Sequence, residues 1–366
     1  MTASVVSASV SPGRTEQPAV VVARVDGRLH EFLDQQCALL RSLGADLDVV
    51  ATAANDLVFG GGKRIRPQFA YWGWRTLHAV GSEGEADALT AAASLELLHV
   101  AALVHDDLID ASATRRGRPA AHARFAAHAL AEGAAPGPAA AFGSAAAILL
   151  GDQLLSWAWA MLADAHVPPA ATAFFALTAQ EMMAGQYLDV LAQVRGVHSV
   201  EAALRVARFK SGKYSVERPL QFGAAVGGAD EETIQQLGAF GLPLGEAFQL
   251  RDDVLGVFGD PDETGKPAGD DLRQGKRTVL VALAHQGSTD TARAELEAGL
   301  GDTALDDAGL TRLRALIVKS GALDEVELMI SDRVDEAQRA LDAAVIRPEA
   351  EAALRALIAR STDRQS

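Results

Sequence analysis

One cysteine, Cys37, stands in 366 residues, so no intrachain disulfide is possible and a reducing, cytoplasmic setting is the natural one. Aromatic residues are scarce, 5% against 49% hydrophobic residues overall, and alanine recurs throughout. That balance disfavours sheets, which draw on aromatic and β-branched side chains, and favours packed helices built on Ala and Leu. Positive charge is short as well: the net charge of −15 argues against non-specific binding to nucleic acid or to anionic membrane surfaces. Any phosphate-bearing ligand must then be held by a local basic cluster. There is no Ser/His/Asp arrangement and no Walker-type glycine loop. Residues 1–18 lack the basic start and sustained apolar core of a signal peptide and read as a disordered tail. A single all-helical domain is expected over 19–361, with a short tail over 362–366. The longest uncharged run, Gly133 to Gly151, is interrupted by Pro136, Pro138 and glycines. Its continuously apolar part is about 13 residues, short of the ~20 of a membrane-spanning helix, so a soluble protein is expected.

What the chain does have is carboxylates at the ends of apolar helices. Leu103-Val104-His105-Asp106-Asp107-Leu108-Ile109-Asp110 closes one such stretch. Asp106 and Asp110 are one helical turn apart on one face, and the simplest way to hold that like-charged pair beside apolar residues is a divalent metal. Phe248-Gln249-Leu250-Arg251-Asp252-Asp253 closes a second helix in the same manner. Basic residues lie close to both. Gly60-Gly61-Gly62 precedes Lys63 and Arg66 at the start of a helix, which suits a phosphate cradle and equally an ordinary glycine-rich turn. His99 lies two turns before Asp106 on roughly its face, and Arg115-Arg116 follows Asp110 closely.

Apolar periodicity predicts helices over 20–43, 46–58, 139–165, 170–194, 200–227 and 230–258, with another opened by Glu83, Glu85 and Asp87 and running to Asp106. Lys210-Ser211-Gly212-Lys213 interrupts the 200–227 helix, as where a backbone bends toward a ligand. Gly259 to Arg277 is a long polar loop suited to a lid, with Lys266 and Lys276 as its candidate ligand contacts. Mg²⁺ commonly bridges carboxylates to phosphates while Arg and Lys take the remaining oxygens. The whole set therefore suits two polyphosphate groups, one on metal and one on basic side chains alone.

At these residues the chain resembles the trans-polyprenyl diphosphate synthases from about residue 25 to 345, and within them bacterial geranylgeranyl diphosphate synthases. The motifs, in the family's order, are Gly-Gly-Lys-Arg-Ile-Arg-Pro at 61–67, Glu-Leu-Leu-His at 96–99, Asp-Asp-Leu-Ile-Asp at 106–110, Arg-Arg-Gly-Arg-Pro at 115–119, Gly-Gln-Tyr-Leu-Asp at 185–189, Lys-Ser-Gly at 210–212, Gln-Leu-Arg-Asp-Asp at 249–253 and Gly-Lys-Pro at 265–267. The resemblance implies an all-α antiparallel bundle around a deep central apolar cavity, dimeric, with the two Asp motifs facing each other. It implies Mg²⁺ on Asp106, Asp110 and Asp252, three ions with substrate bound, and Asp107 and Asp253 as further ligands or supports. It implies that Arg115, Lys210, Gln249, Lys266 and Lys276 hold an allylic diphosphate, and that Lys63, Arg66, His99 and Arg116 hold isopentenyl diphosphate without metal. No protein residue is implied as general base, the departing diphosphate being the proton acceptor.

One position departs from the pattern. The second motif normally carries a third Asp, and here Gly256 stands in its place, so weaker Mg²⁺ binding is expected, with Asp260 a candidate substitute. Ala102 and Ala101, four and five residues before Asp106, leave the allylic end of the cavity open. They argue against a strict ten- or fifteen-carbon product and for geranylgeranyl diphosphate, with longer chains as the alternative and Leu98 as a candidate floor. A class I terpene cyclase would want a second metal motif containing Asn, yet Asn55 is the only asparagine. His105-Asp106 suggests a His-Asp phosphohydrolase, but the remaining histidines show no ligand spacing. A non-catalytic partner subunit has no need of so full a set of acids and bases.

Overall fold

The computed structural model describes residues 18–196, 198–260 and 269–362. Residues 1–17 of the tail expected over 1–18, Lys266 in the expected lid, and residues 363–366 of the tail expected over 362–366 lie outside the described residues, while Pro18 and Thr362 belong to helices.

Helices dominate. In chain order they are α1 (Pro18–Leu43), α2 (Asp48–Phe59), α3 (Ile65–Arg75), α4 (Glu85–Ile109), α5 (Ala121–Ala131), α6 (Pro136–Asp164), α7 (Pro169–Arg195), α8 (Val200–Val206), a π-helical segment (Ala207–Glu217), α9 (Arg218–Val226), α10 (Glu231–Phe258), α11 (Asp270–Arg273), α12 (Val279–Gly287), α13 (Asp290–Gly299), α14 (Asp307–Lys319), α15 (Ala322–Ala343) and α16 (Pro348–Thr362). Between α4 and α5 a two-residue ladder pairs β1 (Thr114–Arg115) with β2 (Arg118–Pro119). The turn between them puts Arg116 at φ 52° and Gly117 at φ 70°, the left-handed region, and so reverses the chain directly after the first Asp motif.

Local chemistry accounts for the elements. In α1 the buried Val21, Val25, Leu29, Phe32 and Leu33 fall on one helical stripe. Asp230 caps α10 by accepting from the Thr233 N–H at 2.9 Å, and Glu231 and Glu232 complement the dipole of its first turn. Packing pairs α4 with α6, α3 with α9, and α10 with both the π segment and α15.

Two buried apolar clusters result, and α10 belongs to both. Its first half, with Leu237, Phe240 and Leu244, packs in the cluster that also holds Phe69, Trp72 and Leu95. Its second half, with Leu250, Val254 and Val257, packs with Leu280, Leu283 and Ile317. The π segment crosses α10 where Gly212 meets Gly245, and a Cβ at position 245 would lie 2.2 Å from the Gly212 carbonyl oxygen. Neither position tolerates a side chain without shifting backbone.

Three expectations change. The sequence reading has no helix over 121–131, where α5 forms and buries Ala121 and Phe125. The 200–227 helix does not break at Lys210-Ser211-Gly212-Lys213; it widens into π geometry, which keeps the backbone hydrogen-bonded while re-aiming side chains. The uncharged run over 133–151 is not cut by its prolines, since Pro136 and Pro138 sit in the first turn of α6, where proline is tolerated. By length and composition α4 and α6 would each reach across a bilayer, but 72% of the apolar window of α4 and 44% of that of α6 is packed inside the protein.

Candidate active site

Both Asp motifs open onto one cavity of about 830 Å³, bounded by α3, α4, α7, α10 and the π segment. Asp106 lies in the last turn of α4 and Asp110 is the residue that ends it. The π segment aims Lys210 at them, with Nζ 3.2 Å from Asp106 Oδ1 and 2.6 Å from Asp189 Oδ2. Gln186 donates to Asp106 Oδ1 at 3.0 Å. From the segment after α11, Lys276 Nζ reaches 3.3 Å from Asp110 Oδ2 and 3.6 Å from Asp271 Oδ1.

These contacts set the charges. Burial alone would raise the Asp106 carboxyl, but Lys210, Lys276 and Arg115 outweigh it and bring it down to about 2. Asp110 moves up, through burial and then through the Asp106 charge one turn away. Across the cavity Asp253 is raised to about 8, mainly by burial, although Gln249 Nε2 donates to it at 2.6 Å; Asp271 and Asp252 add to the rise. Burial opposes the charge on Lys276, yet the carboxylates around it raise its pKa well above the usual lysine value.

Asp107 sits elsewhere. It is 2% exposed, does not line the cavity, and takes a two-pronged contact from Arg115, whose Nε donates at 2.9 Å. Successive helical residues are turned by about 100°, so Asp106 and Asp107 cannot face the same space. Arg115 thereby braces the hairpin against α4 and keeps an outer approach of 3.6 Å to Asp106.

At the other end of the cavity lies a basic pocket. Lys63 stands exposed in the loop before α3 rather than in its first turn. Arg64 is buried and spoken for, 2.8 Å from Asp26 and 2.8 Å from Glu96. Arg66 donates to Ser215 Oγ at 2.7 Å and stacks on the Tyr214 ring at 4.2 Å. Arg116 donates to the Gly61 carbonyl, tying the hairpin to the glycine loop. Arg66 Nε, His99 Nδ1 and Tyr214 Oη are buried without a hydrogen-bond partner, and all three residues line the cavity. Buried polar groups are rarely left so, and three around one basic space are what an anionic ligand with several oxygens would satisfy. Burial, with Arg66 and Arg116 adding, holds His99 far below the ordinary histidine value, so its imidazole is neutral.

The apolar part of the wall follows α4 upward from Asp106. Ala102, Ala101 and Leu98 line it, closed from the side by Leu155 of α6 and by Met182 and Met183 of α7. His105 turns away from its neighbour Asp106, with Nε2 3.2 Å from the Ile148 carbonyl oxygen and 3.6 Å from Asp152. No His-Asp metal pair is formed there.

Position 256 is where structure and sequence part most. A Cβ built there would lie 1.9 Å from Asp271 Oδ2, so the space of the absent third Asp is filled by a carboxylate from α11. Asp260, the candidate substitute, is exposed and lies off the cavity wall. Sequence reasoning missed Asp271, Tyr214, Gln186 and Asp189. The last two stand three apart within the 185–189 motif on one helical face, a readable signal. Asp271, in a polar stretch without periodicity, offered none.

The donor set suits a hard divalent cation: Asp106, Asp110, Asp252 and Asp271 present only oxygen ligands, and Lys210 and Lys276 now supply the positive charge beside Asp106, Asp110 and Asp271.

Comparison with known proteins places the chain among others. The family model for polyprenyl synthetase matches residues 48–316. A crystal structure of geranylgeranyl pyrophosphate synthase from Corynebacterium glutamicum, complexed with isoprenyl diphosphate and magnesium, superposes with a TM-score of 0.87 at 39% identity, covering 95% of this chain and 98% of that one. A geranylfarnesyl diphosphate synthase from Aeropyrum pernix is 37% identical over 76% of this chain and 83% of its own. A nonaprenyl diphosphate synthase from Mycobacterium tuberculosis is 33% identical over 81% of this chain and 85% of its own.

Proposed function

This chain belongs to the polyprenyl synthetase family, and from that premise we propose that its product is geranylgeranyl diphosphate, made by adding isopentenyl diphosphate to an allylic diphosphate. It is a trans-prenyltransferase that makes a linear polyprenyl diphosphate. The observation that carries the product length is the apolar wall. Ala101 and Ala102 put only small side chains next to Asp106, and the larger Leu98, Leu155 and Met182 line the same cavity. Relatives of this chain make products of several lengths, so the wall, rather than kinship, is the guide.

Mg²⁺ is the cofactor that the all-oxygen set and the magnesium complex of the relative support, held by Asp106, Asp110, Asp252 and Asp271. When bound it draws charge from the breaking C–O bond and helps diphosphate leave. The chain's own residues do the rest. Lys210, Lys276 and Arg115 face the departing diphosphate and stabilise the charge that develops on it. Lys63, Arg66 and Arg116 hold the isopentenyl diphosphate, with neutral His99 and Tyr214 completing its hydrogen bonds. The C–O electron pair leaves with the diphosphate, the isopentenyl double bond attacks the allylic cation, and loss of a proton to the departing diphosphate restores an alkene. Water is the competing nucleophile, and the alanine, leucine and methionine wall keeps it away from the cation. Gln249, turned onto Asp253, acts by positioning that acid.

Incubation with Mg²⁺, isopentenyl diphosphate and allylic starters of several lengths, followed by chromatography, tests this reading: products should accumulate at twenty carbons whichever starter is used. Accumulation at twenty-five or more would overturn it. Ala101→Phe should shift the main product to fifteen carbons or fewer, and an unchanged distribution would remove Ala101 from the account of the cavity.

We also assign a homodimer, formed in the cytoplasm through the outer face of α6 and α7. Phe142, Leu149 and Trp159 of α6 and Tyr187 and Val194 of α7 are exposed apolar or aromatic residues, Leu149 by 67%. Exposed side chains of this size and chemistry suit burial against a second copy. Leu149→Glu should convert a dimer to a monomer in sedimentation velocity; a wild-type monomer would dismiss the interface.

A further inference from the structure

Beside the Lys276-Arg277 segment, outside the diphosphate site, three ligand-type side chains converge from three different elements. His198 precedes α8, His285 lies in the last turn of α12, and Glu297 lies near the end of α13. Their ligand atoms all fall within 4.8 Å of one another. His198 Nε2 is 3.1 Å from Glu297 Oε1 and His285 Nε2 is 4.0 Å from the same oxygen. The two imidazoles stack at 3.9 Å. All three side chains keep partial access to solvent, between 18% and 34%, enough for an ion to enter.

We propose that His198, His285 and Glu297 bind a transition-metal ion of the Zn²⁺ class, at a site separate from the Mg²⁺ carboxylates. Two imidazole nitrogens and one carboxylate are the donor set of such ions, whereas Mg²⁺ takes oxygen alone. Burial, against the pull of Glu297 and with Arg277 adding to it, lowers both histidines, which leaves their lone pairs available at neutral pH. A tetrahedral ion with bonds of about 2.0–2.2 Å needs donors about 3.4 Å apart, within the range already present. Parallel rings cannot both aim at one ion, so one imidazole turns out of the stack on binding.

Arg277 is what makes the site consequential. Its Nη1 now donates to both oxygens of Glu297, at 3.1 Å each, and lies 3.1 Å from His198 Nε2. A divalent ion would take Glu297 from it. Arg277 also lines the catalytic cavity, one residue from Lys276. Occupancy of the outer site therefore releases a guanidinium at the rim of the diphosphate site.

The test uses the full chain, stripped of metal and then held in excess Mg²⁺ so that the Asp motifs are occupied. Zn²⁺ titration by calorimetry should show one equivalent bound and a raised Tm, and Co²⁺ in its place should give the strong visible absorption of a tetrahedral ion. His285→Ala and Glu297→Gln should each weaken binding by about tenfold or more and abolish the Tm rise. Circular dichroism unchanged from wild type for both variants, and Zn²⁺-free turnover unchanged for His285→Ala, would show that they fold. Wild-type protein that binds no Zn²⁺ beyond what Mg²⁺ displaces, or folded variants that bind it equally well, would overturn the proposal.

Discussion

Asp106→Ala is expected to lower kcat by roughly a thousandfold while leaving the fold in place. Asp106 is the point on which the cavity's polar contacts converge: Lys210 and Gln186 both reach Oδ1, and Arg115 approaches Oδ2 at 3.6 Å. Its carboxyl, held down to about 2 by those cations, remains ionised at any working pH. Removing it takes away a metal-facing charge and the centre that orders the leaving-group contacts. Stability should suffer little, because Lys210 keeps its 2.6 Å pair with Asp189, and Asp110 is relieved of a like charge. Steady-state kinetics over a range of Mg²⁺ concentrations, with thermal melts as control, measures both. A variant within about threefold of wild-type kcat would remove Asp106 from the reaction.

Asp271→Asn should raise the Mg²⁺ concentration for half-maximal rate by about tenfold and lower kcat at fixed Mg²⁺. We assign Asp271 the place that the second motif elsewhere gives to its third Asp, because its Oδ2 would stand 1.9 Å from a Cβ at Gly256. The two positions compete for one space. Gly256→Asp alone should therefore push the Asp271 side chain aside and set two carboxylates against each other. Gly256→Asp combined with Asp271→Ala should recover much of the Mg²⁺ response by moving the carboxylate back onto α10. If Asp271→Asn leaves the Mg²⁺ dependence unchanged, the carboxylate is a partner of Lys276 only, and the weaker metal binding expected from Gly256 stands.

Much of this was legible in the residues. The helical class follows from an Ala- and Leu-rich composition with few aromatics, and the long helices from their 3.6-residue periodicity. The Asp106/Asp110 pair follows from four-residue spacing, and the basic set from its position beside glycines. The helix over 121–131 was legible too, in its run of alanines with Phe125 on the buried face, and was overlooked. The π geometry around Lys210 was not legible, because it depends on the contact of Gly212 with Gly245 of α10.

The sequence by itself determined which chemistry is available: two carboxylate clusters at helix ends and an apolar stretch beside the first, set by spacing within single helices, with basic residues in the loops and the hairpin nearby. Tertiary structure decided which of those residues meet. It turned Asp107 onto Arg115 and away from the cavity, brought Lys210 to Asp106 across 104 residues of chain, and closed the apolar wall with Leu155 and Met182. It also put Asp271 where position 256 is bare. The physical reason is the same each time. Helical periodicity fixes directions only within one element, and where a side chain ends up opposite another depends on how helices cross, which is settled by packing between residues far apart in the chain.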